Sequence, residues 1–288
     1  MAVEPTLRRA RRGAPNVWRR RIDAVVFDLD GVVWRGFVAV PYAGEVIERI
    51  RAAGLRVCFL SNYANRKRSY LCERLADIGI PADLPDVFTS SFLAALHVGS
   101  LAVGQREYVT VEDGRTLAEE FRAFGMTAEP LPTYRRHSES PPCAVVVGYT
   151  ESFGYQDVAR LLNISGYVDG LYATARDRWY AASEGPLPAS GWIVAAAEEI
   201  LNHQALTLGK PNALALCTVA DSLSVPVGRI LMVGDSAESD VGAAKNAGAY
   251  SCLFQDRDAA APASAGAPRA DFEVSDLREL TRLLGLPS

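Results

Sequence analysis

Asp28 and Asp30 close the apolar run 24–30, two residues apart. In extended backbone that spacing points both side chains the same way, so two carboxylates share one site. Holding two like charges together is costly unless a cation is present or one acid stays protonated. A divalent metal supplies the first, and general acid–base catalysis uses the second. Asp235, in the polar turn 234–236 after another apolar run, adds a third carboxylate. Oxygen-only ligands suit Mg²⁺, which takes a few carboxylates together with water and phosphate oxygens. Alone, Asp-x-Asp after a strand is more often turn and helix-cap chemistry. Ser61-Asn62 follows the run 56–60, where a hydroxyl and backbone N–H groups can hold phosphoryl oxygens. Lys210, in Gly209-Lys210-Pro211, can neutralise their charge. Singly these are an ordinary turn and an ordinary surface lysine; together, at the ends of apolar runs, they are far less expected by chance.

The elements that must position these residues follow a repeated grammar. Residues 24–30 read as a buried strand, Val46, Ile47 and Ile50 have helical spacing, Gly54 stands at a helix C-terminus, and 56–60 reads as a second buried strand. Parallel strands joined by a helix predict a doubly wound α/β sheet, which binds ligands beyond the C-terminal ends of its strands. A helix over 212–222, a strand over 229–233, a helix over 240–246 and strands over 250–254 and 272–274 repeat the pattern, with the Ala/Pro/Gly-rich 258–270 as a loop. Residues 88–185 carry their own signals: strands over 107–111, 143–147 and 171–174, helices over 118–124 and 157–163, and a surface loop over 130–142. The predicted domains are a flexible basic extension at 1–21, a core from 22–87 and 186–288, and an α/β insertion at 88–185, with hinges near 86–90 and 182–188.

Composition narrows the class. Hydrophobic residues at 49% and charged residues at 22% of 288 fit a globular protein with a sizeable core. No apolar run approaches the ~18 residues of a membrane span, and arginines stand where a secretory signal needs apolar residues. Five scattered cysteines without Cys-x-x-Cys indicate neither a disulfide framework nor a zinc site, so a cytoplasmic location is expected. The net charge is −4; seven arginines against one glutamate make 1–21 +6, leaving −10 for the rest. An acidic body argues against nucleic acid as a partner. The basic stretch, with Pro5 and Pro15, reads as a flexible extension, with a nucleic-acid arm or a targeting peptide as alternatives.

Four ordered segments, Phe-Asp28-Leu-Asp30-Gly31-Val, Ser61-Asn62-Tyr, Gly-Lys210-Pro and Gly-Asp235-Ser-Ala-Glu-Ser-Asp240, resemble the motifs of the haloacid dehalogenase superfamily. The insertion between the second and third, with Val40-Pro41-Tyr-Ala-Gly44 and Phe88-Thr-Ser-Ser91, is similar to the class IIA, NagD-like and p-nitrophenylphosphatase-like branch. The resemblance spans about 22–285 and implies a Rossmann-like core with an α/β cap. It also implies roles: Asp28 as nucleophile, Asp30 as acid then base, and Mg²⁺ held by Asp28, Asp235 and the backbone carbonyl of Asp30. Ser61, the Asn62 backbone and Lys210 would grip the phosphoryl group, with Asp240 orienting Lys210 or a metal-bound water. An acid at Asp30 favours phosphate transfer, since a dehalogenase of this fold needs no proton donor there.

In the cap the match loosens. The branch carries Thr-Asn-x-Asp, whereas this chain has Thr174-Ala-Arg176-Asp177, followed by Arg178. Asp177 is expected at the substrate, and Arg176 or Arg178 as a ligand for a second anionic group. The expected activity is Mg²⁺-dependent hydrolysis of a small phosphorylated metabolite (a sugar phosphate, nucleoside monophosphate or phosphoglycolate) through an aspartyl-phosphate. A catalytically silent binding or scaffold protein of the same fold is the alternative, against which the intact acid Asp30 stands. A dinucleotide-binding oxidoreductase would need Gly-x-Gly-x-x-Gly after the first strand, which is absent. No nucleic-acid or membrane partner is expected, and a homodimer is left open.

Overall fold

The computed structural model describes residues 21–36, 38–100, 106–137, 139–182, 185–255 and 266–286. The basic extension, apart from Arg21, and most of the loop 258–270 lie outside the described residues.

The chain opens with β1 (Ala24–Phe27), a hairpin of β2 (Trp34–Arg35) and β3 (Val38–Ala39), then β4 (Arg56–Ser61) and β5 (Val87–Thr89). A second set follows: β6 (Glu107–Val111), β7 (Thr127–Pro130), β8 (Cys143–Val147), β9 (Val168–Ala173), the antiparallel pair β10 (Trp179–Ala182) and β11 (Gly185–Pro188), and β12 (Leu206–Thr207). The chain then returns to the first sheet with β13 (Ile230–Gly234), β14 (Tyr250–Phe254) and β15 (Phe272–Val274).

The core sheet has the order β15-β14-β13-β1-β4-β5, parallel throughout. β1 is central and wholly buried because both faces are covered, which is why its sequence is continuously apolar. Val25 and Phe27 pack one way, with Val46, Ile50 and Leu71 from the helices Ala43–Ala52 and Arg68–Asp77. Ala24 and Val26 pack the other way, with Leu216 and Val219 from the helix Ala213–Leu223. Strand order runs outward from β1 toward β5 on one side and from β13 toward β15 on the other. The reversal falls between β1 and β13, opening a crevice at their C-terminal ends.

The inserted sheet, of order β12-β9-β8-β6-β7, is also parallel. Its extent corrects the expected border at 185. The helix Gly191–Leu201 buries Ile193, Val194, Ala197 and Leu201 against Val145, Val147 and Leu171 of the insertion, and β12 pairs with β9. The chain therefore leaves the insertion after Thr207, and the stretch expected to be a hinge at 182–188 is instead mostly the strand β11. The predicted surface loop 130–142 is partly interior: Leu131 and Tyr134 are buried, and the Tyr134 hydroxyl donates to Glu107.

Candidate active site

Asp28 follows β1 and Asp235 follows β13, so both carboxylates stand at the crevice where strand order reverses. The Asp28 N–H donates to the Val233 carbonyl at 2.9 Å, tying the two strand ends together. Lys210 enters between them, only 2% exposed, with Nζ 2.7 Å from Asp28 Oδ1 and 2.6 Å from Asp240 Oδ1. Asp240 is brought inward by the π-turn Ala237–Val241, an irregularity frequent at functional sites. Its Oδ2 accepts from the Ser236 N–H at 3.0 Å.

Electrostatics call for a cation here. Asp28, Asp235 and Asp240 each bring an oxygen within 4.8 Å of the others, with one ammonium among them. Burial pushes the Asp28 carboxyl well above its ordinary range; Lys210 opposes this, and the charges of Asp240 and Asp235 add to it. Asp235, although its side chain is exposed, is pushed up to about 7, first by the protein crowded around it and then by Asp240. Burial works against the Lys210 charge, but Asp240 and Asp28 outweigh it and keep the ammonium protonated. An oxygen-only cluster with surplus negative charge fits Mg²⁺. Gly31, at φ 78°, lies so close that a Cβ there would overlap the Asp235 carboxylate.

Asp30 serves a different place. It is exposed at the mouth, and its Oδ1 accepts from Trp34 Nε1–H and from Tyr63 Oη–H, each at 3.0 Å. Crowding by protein raises its pKa, while the two donors pull it back. Its side chain is not in the carboxylate cluster, where Asp240 takes the third position; the metal contact expected of Asp30 was through its backbone carbonyl. Trp34 and Tyr63 carried no expected role. Tyr63 adjoins Ser61-Asn62, but its meeting with Asp30 depends on β1 and β4 being neighbours.

Ser61 is buried, its Oγ accepting from the Tyr63 N–H at 3.3 Å. Asn62 uses its whole side chain. Oδ1 accepts from the Lys210 N–H at 3.0 Å, and Nδ2 donates to the Lys210 carbonyl at 3.0 Å and to Asp177 Oδ2 at 2.8 Å. Asp177 thus reaches the core from the cap. Arg176 turns elsewhere, in a two-pronged pair with Glu198 at 2.9 and 2.5 Å.

Comparison with known proteins agrees with this arrangement. The haloacid dehalogenase-like hydrolase family model matches residues 25–127, and a HAD-hydrolase-like model matches 207–280. Chronophin of Bos taurus is 34% identical over 230 residues, 77% of each chain. Glycerol-3-phosphate phosphatase of Gallus gallus is 33% identical over 236 residues, 76% of this chain and 75% of its own. The structure of glycerol phosphate phosphatase from Mycobacterium tuberculosis in complex with magnesium superposes with a TM-score of 0.76 at 26% identity, covering 91% of this chain and 77% of that one. With the motif residues gathered at one crevice and relatives matched along most of its length, the chain belongs to the haloacid dehalogenase-like hydrolases, in their class IIA branch.

Proposed function

We propose that this protein is a Mg²⁺-dependent phosphatase that hydrolyses a small phosphorylated metabolite through an aspartyl-phosphate on Asp28. The observation that carries the reading is the buried Asp28–Lys210–Asp240 chain of contacts beside an Asp30 held by two donors. Hydrolysis of phosphate monoesters is the activity that this family membership brings to the chain. Asp28, Asp235 and the Asp30 carbonyl would hold Mg²⁺, which supplies charge neutralisation at the phosphoryl oxygens.

An Asp28 oxygen bonds to phosphorus as the P–O bond to the leaving group breaks, and Asp30 gives its proton to the departing oxygen. Water then attacks phosphorus and delivers its proton to Asp30, releasing phosphate and restoring the Asp28 carboxylate. Lys210, pinned by Asp240, keeps a fixed positive charge beside the nucleophile, where it meets the phosphoryl oxygens together with Ser61 and the Asn62 N–H. Oδ1 of Asp30 already accepts two hydrogen bonds, so Oδ2 is the oxygen that carries the transferred proton. Asp177 and Arg178 would read the leaving group from the cap. Arg178 fits an anionic group better than Arg176, because Glu198 already engages Arg176 and Arg178 has no ion pair among the described residues.

The test is a screen of phosphorylated metabolites and p-nitrophenyl phosphate with Mg²⁺. Hydrolysis should vanish with chelator and return with Mg²⁺. Full turnover in excess EDTA would refute the metal requirement.

A further inference from the structure

Asn62 stands where three parts of the chain meet, and its side chain reaches the other two, at Lys210 and at Asp177. Its own backbone is fixed, since Ser90 Oγ lies 2.9 Å from the Asn62 carbonyl and 3.0 Å from that of Tyr63 and donates to both. From this anchored position the amide grips Lys210 on both its N–H and its C=O. The second Nδ2 hydrogen goes to the Asp177 carboxylate on the cap loop. One acceptor and two donors are what an amide offers and what no carboxylate or hydroxyl can.

Lys210 needs such a grip because of where it lies. The chain leaves the inserted sheet at β12, Leu208 N–H donates to the Ala173 carbonyl and Gly209 N–H to the Thr174 carbonyl, each at 2.9 Å, and Lys210 is the next residue. Gly209 is so close to that loop that a Cβ would overlap the Thr174 carbonyl. The lysine that pairs with Asp28 is thus carried by the strand leading out of the cap, so a cap that swings away pulls on its backbone. Beyond Asn62, the loop after β4 meets the cap through Lys67 with Glu119 at 2.7 Å, an exposed pair of the kind that contributes little. Asp177, by contrast, is largely enclosed, and burial raises its pKa.

We propose that Asn62 is a positioning residue that latches the cap to the core and, through the same amide, couples cap closure to the placement of Lys210. In its kinetic part the proposal rests on the phosphatase reading. It makes Asp177 a latch partner as well as a reader of substrate.

The variants Asn62→Asp, Asp177→Asn, Asp177→Ala, the double Asn62→Asp/Asp177→Asn, and Glu119→Gln separate this from a merely structural role. Each is assayed on p-nitrophenyl phosphate at saturating Mg²⁺, and its radius of gyration is measured by small-angle scattering. Asn62→Asp keeps the acceptor for the Lys210 N–H but sets a carboxylate against Asp177. It should expand the molecule and lower kcat/KM roughly 10- to 100-fold, as expected for loss of a charge-assisted hydrogen bond. Adding Asp177→Asn lets the amide at 177 donate to the carboxylate at 62, so the double variant should regain several-fold in kcat/KM and contract. Asp177→Ala, which spares the Lys210 contacts, should raise KM more than it lowers kcat, and Glu119→Gln should match wild type in both measurements. The latch is overturned if Asp177→Asn worsens Asn62→Asp, or if Asn62→Asp folds with unchanged radius and rate. If the wild-type chain turns over no phosphate ester, the functional reading fails while scattering still decides the latch.

Discussion

Asp28 and Asp30 differ by two positions and by everything around them. Asp28 is buried against Lys210, whereas Asp30 opens to solvent under Trp34 and Tyr63. Their substitutions should therefore fail differently. Asp28→Asn should abolish turnover, since an amide is a poor nucleophile and a poor Mg²⁺ ligand. Asp30→Asn should lose ~10²- to 10⁴-fold on alkyl phosphates but less on p-nitrophenyl phosphate, whose leaving group scarcely needs a proton. Rates on the two substrate types check this, and equal losses for Asp30→Asn would contradict its role as acid. Asp28, Lys210 and Asp235 could be read from the chain because each follows or precedes a recognisable apolar run. Trp34 and Tyr63 could not, because an indole and a phenol carry no local mark of their hydrogen bonds to a carboxylate on another strand.

Among the elements, the buried strands were the easiest to read, since a strand covered on both faces must be apolar at every position, as β1 is. The far edge of the insertion was harder. Gly185, Pro186 and Pro188 carry linker composition yet pair with β10, and β12 is only two residues long, too short for any period. The helix expected over 240–246 is preceded by a π-turn over Ala237–Val241, which the sequence does not mark because an inserted residue leaves the helical pattern of apolar positions nearly intact. The turn after β1 gives a prediction at this scale. At Gly31 the backbone is left-handed and the Asp235 carboxylate fills the space a Cβ would take. Gly31→Ala should therefore displace Asp235, weaken Mg²⁺ binding at least tenfold and cut kcat in parallel, with circular dichroism unchanged. Calorimetric titration with Mg²⁺ measures it; unaltered affinity would show that Asp235 is not a ligand.

The whole molecule is built to hold surplus negative charge at one crevice. Asp28 and Asp235 both have raised folded pKa values, so between the unfolded carboxylate range and about pH 7 the native metal-free state binds more protons than the unfolded one. Metal-free stability should accordingly fall as pH rises from about 5 to 8, and Mg²⁺ should raise Tm more at pH 8 than at pH 5.5. At a hundredfold excess over Kd the ion adds about 2.7 kcal/mol, a shift of several degrees. Thermal scans in EDTA and in Mg²⁺ at both pH values check the sign. No helix of the described residues is long and apolar enough to cross a membrane, and all five cysteines are free thiols. Covalent chemistry at Asp28 is tested most directly with Asp30→Asn and p-nitrophenyl phosphate. Phosphoryl transfer to Asp28 then needs no acid, while hydrolysis of the acyl phosphate lacks its base. Rapid mixing followed by acid quench and peptide mass spectrometry should give a burst of p-nitrophenolate matching the enzyme concentration and a phosphoryl adduct on the peptide containing Asp28. Steady turnover with no burst and no adduct would contradict the account.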